Sequence, residues 1–216
     1  MLIHTRLSDP ASCSTACSAG LHLPANSRFL AAPCRPELQA IFLDRDGVLI
    51  RDVHYLRTPS QIELLPHLDR LGAVQDRFFL IVATNQSGIA RDLLSEKDLC
   101  RIHSELLDRL ARQSIRIDAF YYCPHLATAT NPKYRADCLC RKPRAGLLHQ
   151  AAMDWGIELK RSYLIGDSLR DVEAGNAAGI AQNILLGDRS CPGNRLNFRR
   201  ACDLAAAVEI INGSVA

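Results

Sequence analysis

The sequence predicts an α/β fold, a doubly wound and mostly parallel sheet with helices on both faces. Three observations carry that prediction. Strand-like and helix-like periodicities alternate from residue 39 onward. Phe78 to Thr84 is an unbroken apolar run closed by a threonine, as in a strand covered on both faces. The runs IFLD at 41–44, LIVATN at 80–85 and YLIGD at 163–167 all end in polar side chains, where open sheets of this class place their ligands.

Taken in order, residues 1–38 come first. They are rich in Ser, Ala, Pro and Cys, contain Pro10, Pro24, Pro33 and Pro36, and show no sustained period, so an irregular N-terminal arm is expected ahead of one domain over 39–216. The first strand, about 39 to 44, enters a polar turn, and an irregular stretch follows through Thr58 and Pro59. Residues 66–76 suit a helix opening on Pro66 with Leu68 and Leu71 turned inward. Residues 78–84 form the second strand. Ser95 to Arg112 is the clearest helix: Ser95 caps it, Asp98 stands at the capping-box position, and Leu99, Ile102, Leu106 and Leu110 mark a buried stripe. Strands at 117–122, 162–167 and 180–186 alternate with helices at 144–155 and 169–178. Trp155 and Met153 read as packing residues, and His103 and His149, without cysteine or carboxylate partners at ligand spacing, as ordinary surface or boundary histidines.

Bulk composition narrows the function class. At 216 residues with 48% hydrophobic content, one well-packed domain is the expectation, with room for a small insertion. A net charge of +3 without a basic block, or basic residues interleaved with aromatics, argues against nucleic acid as a partner and suits a compact anionic ligand. No apolar run is long enough to span a membrane, and residues 1–30 lack a basic start followed by an apolar core, so a cytoplasmic protein is expected. An odd count of nine cysteines fits that reducing setting better than a disulfide framework. Cys13 and Cys17 could ligate a metal with Cys34 or His22, but a CxxxC without a second tight pair reads more simply as part of the arm.

Residues 123–142 break the alternation, and a loop of this length in a compact domain needs something to order it. Cys123, His125, Cys138 and Cys140 supply three thiolates and an imidazole, a full tetrahedral ligand set for zinc that leaves no open position for catalysis. The alternative is surface thiols and a chance histidine.

The strand ends offer a second kind of chemistry. A lone Asp-x-Asp also arises in surface turns, where aspartate bonds its own backbone. Here the pair comes with every group that phosphoryl transfer through a covalent carboxylate needs. Asp44 offers the nucleophile and Asp46 the acid and base. Thr84 and Asn85 can donate to phosphate oxygens, and Lys142 can neutralise both phosphate and nucleophile. Asp167 completes an oxygen-rich magnesium site with Asp44 and the carbonyl of Asp46, and Asp171, one helical turn on, can organise it.

DRDG at 44–47, TNQSG at 84–88, the lysine of CRKP at 140–143 and GDSLRD at 166–171 resemble the four ordered motifs of haloacid-dehalogenase-type (HAD) phosphatases. The cysteine loop narrows the resemblance to the branch holding the D-glycero-D-manno-heptose-1,7-bisphosphate 7-phosphatases and histidinol phosphatases. The resemblance implies a capless HAD-like Rossmannoid domain, Mg²⁺ and Zn²⁺ as cofactors, the residue roles just given, and a monomer acting on a small phosphorylated sugar. It also makes Arg141 a substrate-contacting basic position and Tyr55 a substrate-binding aromatic. Where the heptose enzymes usually carry Gly-Tyr, this chain has His54-Tyr55, which implies a different loop backbone. Arg51, Arg57 and Arg91 are candidates to meet a second phosphate. Histidinol phosphate or another small sugar phosphate is the alternative substrate, and a non-enzymatic zinc-stabilised interaction module the alternative class.

Overall fold

The computed structural model describes residues 20–22, 38–187 and 196–214. Cys13, Cys17, Cys34 and Cys191, and the arm's prolines, lie outside the described residues.

Apolar runs become the strands of one seven-stranded sheet in the order β1-β4-β3-β2-β5-β6-β7. These are β1 (Gly20–His22), β2 (Ala40–Leu43), β3 (Phe79–Asn85), β4 (Ala119–Cys123), β5 (Tyr163–Gly166), β6 (Gln182–Leu186) and β7 (Arg199–Ala201). All neighbours run parallel except β1, which lies antiparallel to β4 at one edge. Side chains along β2 alternate between two cores. Ile41 and Leu43 face a cluster with Leu99, Ile102, Leu106 and Leu110 of α1 (Glu96–Ala111) and Leu204, Val208 and Ile211 of α4 (Leu204–Gly213). Ala40 and Phe42 face Leu147, Leu148 and Trp155 of α2 (Gly146–Trp155) and Ala174 of α3 (Leu169–Ala178). The result is the three-layer, doubly wound architecture expected, with the winding reversing at β2, between β3 and β5.

The α1 prediction holds in detail. Ser95 Oγ accepts from Asp98 N–H at 3.1 Å and the Asp98 carboxylate takes the Ser95 N–H at 3.0 Å, a closed capping box. Four readings differ from the structure. The helix expected from Pro66 is a short 3-10 segment, Leu68–Ala73, because His67 sits in the left-handed region at φ 65° and interrupts any helix begun before it. Leu68 and Leu71 are nevertheless buried. Residues 20–22 of the arm are a strand. Met153 is exposed, whereas Trp155 packs against Phe79 as expected. His103 is fully buried on the inner face of α1, while His149 is exposed. β7 and α4 had no counterpart in the sequence reading. Among the described residues no helix is long and apolar enough to cross a membrane.

Candidate active site

The C-terminal ends of β2, β3 and β5 open into a pocket of about 370 Å³ at the switch point. It gathers Asp44, Asp46, Tyr55, Thr84, Asn85, Arg141, Lys142, Asp167 and Asp171, so the nucleophile, acid–base, phosphate and magnesium residues expected from the motifs line one cavity. Gly47 takes φ 80°, and a Cβ there would collide with the Asp167 carboxylate. Gly166 makes room in the same way for Asp171.

Lys142 is the charge centre. Its ammonium, 4% exposed, pairs with Asp44 Oδ1 at 2.9 Å, touches Asp171 Oδ1, and donates to the Ala83 carbonyl at 2.7 Å. Burial alone would lower the lysine's pKa, but the Asp171 and Asp44 carboxylates outweigh it and hold the group above its ordinary value. Asp44 is pushed up to about 7, first by burial, with Lys142 opposing and Asp171 and Asp46 adding to the rise. Its Oδ1 is buried and accepts no well-aligned hydrogen bond beyond that ion pair. Ligand atoms of Asp44, Asp167 and Asp171 lie within 4.8 Å of one another. An excess of clustered carboxylate oxygens over one ammonium suits a hard divalent cation.

Asp171 has two tasks. One oxygen meets Lys142, and the other accepts from Ser168 N–H and Oγ at the start of α3, so the helix cap and the lysine anchor share one side chain. Asn85 is tied to the Lys142 backbone. Its amide exchanges two 3.1 Å hydrogen bonds with the backbone N–H and carbonyl of Lys142, and so fixes the lysine's backbone at the pocket.

Asp46 points away from the carboxylate cluster. Arg45 Nη2 donates to both of its oxygens, at 3.0 and 2.9 Å, and Gln86 Nε2 donates to Oδ2 at 3.0 Å and to Thr84 Oγ1 at 3.0 Å. Sequence reasoning missed Arg45 and Gln86. Both lie inside quoted motifs, but nothing in an Asp-Arg-Asp string says that the arginine, 1% exposed, turns inward.

Among the cations left open, Arg91 lines the pocket and lies over the Tyr55 ring at 5.8 Å, and Arg170 was not foreseen there. Arg51, paired with Glu63 at 3.3 Å, and Arg57 do not line it. His54 adopts φ 71°, with its N–H donated to Asp52 Oδ1 at 2.7 Å. A left-handed backbone is what glycine most readily supplies, so histidine here carries a strain of about 1–2 kcal/mol.

Beside the pocket, Cys123, His125, Cys138 and Cys140 converge with all four side chains buried. Sulfur–sulfur separations are 3.5 Å for Cys123–Cys138 and 3.4 Å for Cys138–Cys140, and His125 Nδ1 lies 3.8 and 3.6 Å from Cys123 and Cys140. Arg141 follows this cluster directly and donates to the His125 carbonyl at 3.3 Å, which ties the loop to the pocket wall.

The HAD-hydrolase-like family model matches residues 139–196. The chain is 41% identical over 154 residues to the D-glycero-beta-D-manno-heptose-1,7-bisphosphate 7-phosphatase of Rhodopseudomonas palustris, covering 69% of this chain and 83% of that one. It is 37% identical over 158 residues to the D-glycero-alpha-D-manno-heptose-1,7-bisphosphate 7-phosphatase of Campylobacter jejuni, covering 72% and 87%. The crystal structure of D,D-heptose 1,7-bisphosphate phosphatase from B. bronchiseptica, complexed with magnesium and phosphate, matches at 32% identity and a TM-score of 0.72, over 82% of this chain and 99% of that one. Identity at this level across most of both chains carries family membership with it: the chain belongs to the D-glycero-D-manno-heptose-1,7-bisphosphate 7-phosphatase family of HAD-like hydrolases.

Proposed function

We propose that this chain is a magnesium-dependent phosphomonoesterase that removes the 7-phosphate of D-glycero-D-manno-heptose 1,7-bisphosphate through an aspartyl-phosphate on Asp44. The observation that carries the reading is the buried Lys142 ammonium, held by Asp171 against Asp44 at the floor of the pocket. An Asp44 oxygen attacks phosphorus, the bond from phosphorus to the sugar oxygen breaks, and Asp46 gives that oxygen a proton. Water then attacks the phosphorus, yields its proton to Asp46, and releases phosphate and free Asp44. The Thr84 hydroxyl donates to a phosphoryl oxygen, and Lys142 offsets the charge gathered there. Asp44, Asp167 and the backbone carbonyl of Asp46 are the residues that would hold magnesium, which supplies neutralisation of the phosphoryl oxygens when bound.

Zinc belongs at Cys123, His125, Cys138 and Cys140. Their separations are close to the roughly 3.5–3.8 Å edges of a tetrahedron built on ordinary Zn–S and Zn–N bonds, and four protein donors make the site structural. The domain is capless on this reading: between β2 and β3 lie only loops and short 3-10 segments, with Leu49, Ile62 and Leu68 built into the main core.

Arg91, Arg141 and Arg170 supply charge for the phosphate that is retained. Histidinol phosphate brings an ammonium and an imidazole, a poor match for that lining. Relatives named for both anomers match the chain, so the decisive experiment compares kcat/KM on both heptose bisphosphate anomers, histidinol phosphate and fructose 1,6-bisphosphate. One heptose anomer should lead by at least about tenfold, about 1.4 kcal/mol in transition-state discrimination. A lead by histidinol phosphate would overturn the substrate and leave the aspartate chemistry in place.

A further inference from the structure

A piece of chain ahead of the catalytic strand reaches the acid–base residue through the interior. β1 pairs with β4 so that Gly20 faces Tyr122 and His22 faces Phe120. Gly20 has to be glycine, because a Cβ would collide with the Tyr122 ring. This seating buries His22 beside α1. His22 Nε2 lies 2.9 Å from Cys100 Sγ, and His22 Nδ1 lies 2.8 Å from His103 Nδ1. His103 Nε2 in turn lies 3.4 Å from Nη1 of Arg45, the largest fully buried side chain among the described residues and the one that grips both oxygens of Asp46.

The direction of every bond in this chain follows from its first member. A guanidinium only donates, so His103 Nε2 must accept and His103 must carry its proton on Nδ1. His22 Nδ1 then accepts, and His22 Nε2–H donates to the Cys100 sulfur. Both rings must be neutral for this to hold. Burial supplies that condition, lowering His22 to about 4 and His103 well below its ordinary value. His103 also stacks on Phe120 at 4.3 Å between ring centroids, which fixes its plane.

We propose that His22 and His103 are positioning residues for the acid–base step, transmitting the docking of β1 through Arg45 to the carboxylate of Asp46. A buried guanidinium needs acceptors at each end, and His103 provides one on the side away from Asp46. Without it Arg45 gains freedom to swing, and Asp46 loses its clamp. The proposal rests on Asp46 being the acid and base.

The test uses full-length variants and two phosphate esters. p-Nitrophenolate leaves without a proton, whereas the alkoxide of fructose 1,6-bisphosphate needs one. Asp46→Asn, as reference, should lose far more kcat/KM on the sugar ester than on the aryl ester. His103→Leu, His22→Phe and Gly20→Val should show the same asymmetry in milder form. We expect about tenfold loss on the sugar ester and about threefold or less on the aryl ester, with KM little changed. His103→Gln, which keeps one acceptor and one donor, should recover most of the sugar-ester rate. Gly20→Val displaces the strand while leaving both histidines in the sequence, and carries the test if His103→Leu does not fold. Equal losses on both esters, or none on either, while Asp46→Asn still discriminates between them, overturn the relay. An Asp46→Asn variant that does not discriminate removes the acid–base reading and the relay with it.

Discussion

Replacing Lys142 by methionine keeps most of the side chain's length and deletes its charge. In the native protein that charge is 4% exposed and sits between Asp44 and Asp171, so the variant leaves two carboxylates in a buried site without their counterion. Removing one partner of a buried pair costs about 3–5 kcal/mol. For a domain of this size that lowers Tm by about 6–20 °C, at roughly 2–4 °C per kcal/mol. The deficit depends on pH with a definite sign. Asp44 already has a folded pKa of about 7, set by burial first, against 3.8 for an unfolded aspartate, and loss of the opposing lysine raises it further. A carboxyl raised in this way contributes stability that is present below 3.8 and lost as pH rises through the folded value. The variant's deficit should therefore be largest near pH 8 and shrink below pH 7, where Asp44 is protonated in parent and variant alike. The assay is thermal melting of both proteins in EDTA at pH 5.5 and pH 8, repeated at pH 8 with magnesium. We expect magnesium to restore part of the lost Tm by supplying the missing positive charge, and turnover to fall by about 10³-fold or more, since an electrostatic clamp on the phosphoryl group is gone. A variant melting within about 2 °C of the parent at pH 8 in EDTA would falsify the charge-centre account. So would a deficit that does not move with pH.

Two further outcomes follow from the structure. Protein treated with EDTA to strip magnesium should retain about one zinc per chain, and Cys138→Ser should lose it together with activity, by loosening Arg141 and Lys142; a parent without zinc, whose Cys138 and Cys140 react freely with thiol reagents while folded, excludes the site. His22 and His103 are held neutral in the fold but titrate near 6.5 when unfolded, so they contribute stability that is present above 6.5 and lost as pH falls. For His22, beside Glu96 and Tyr122, the window runs from 6.5 down to about 4, at up to about 1.4 kcal/mol per pH unit. His22→Phe should flatten the Tm–pH slope across that interval, and an unchanged slope means the ring is not buried neutral.

Where a property depends on neighbours along the chain, the sequence was sufficient. The capping box at Ser95 and Asp98, the apolar stripe of α1, and the two-sided burial of β3 are local patterns, and the structure reproduces them. Other local signals stand in the sequence as well. His103 stands one residue after Ile102 and three before Leu106, on the buried face by helical spacing. Asp203 ahead of LAAAVEII is an N-cap before an apolar run, and it does cap α4, accepting from Ala206 N–H at 2.9 Å.

The sequence by itself determined the chemistry available to this protein: two aspartates after one strand, a hydroxyl after another, a lysine and two aspartates later, and four soft ligands within one loop. Strand ends in a doubly wound sheet must meet at the switch point, so the order of motifs was enough to assemble them in one pocket. Only the tertiary structure decided what each side chain does there. Asn85 braces the Lys142 backbone, Arg45 turns inward to grip Asp46, and Arg91 and Arg170 line the cavity while Arg51 and Arg57 do not. Three residues of the arm become a strand because Gly20 fits the Tyr122 ring and His22 finds His103, partners 102 and 81 positions away respectively. Such outcomes turn on which polar groups find partners once water is excluded, a competition settled across the whole fold and not within any stretch of it.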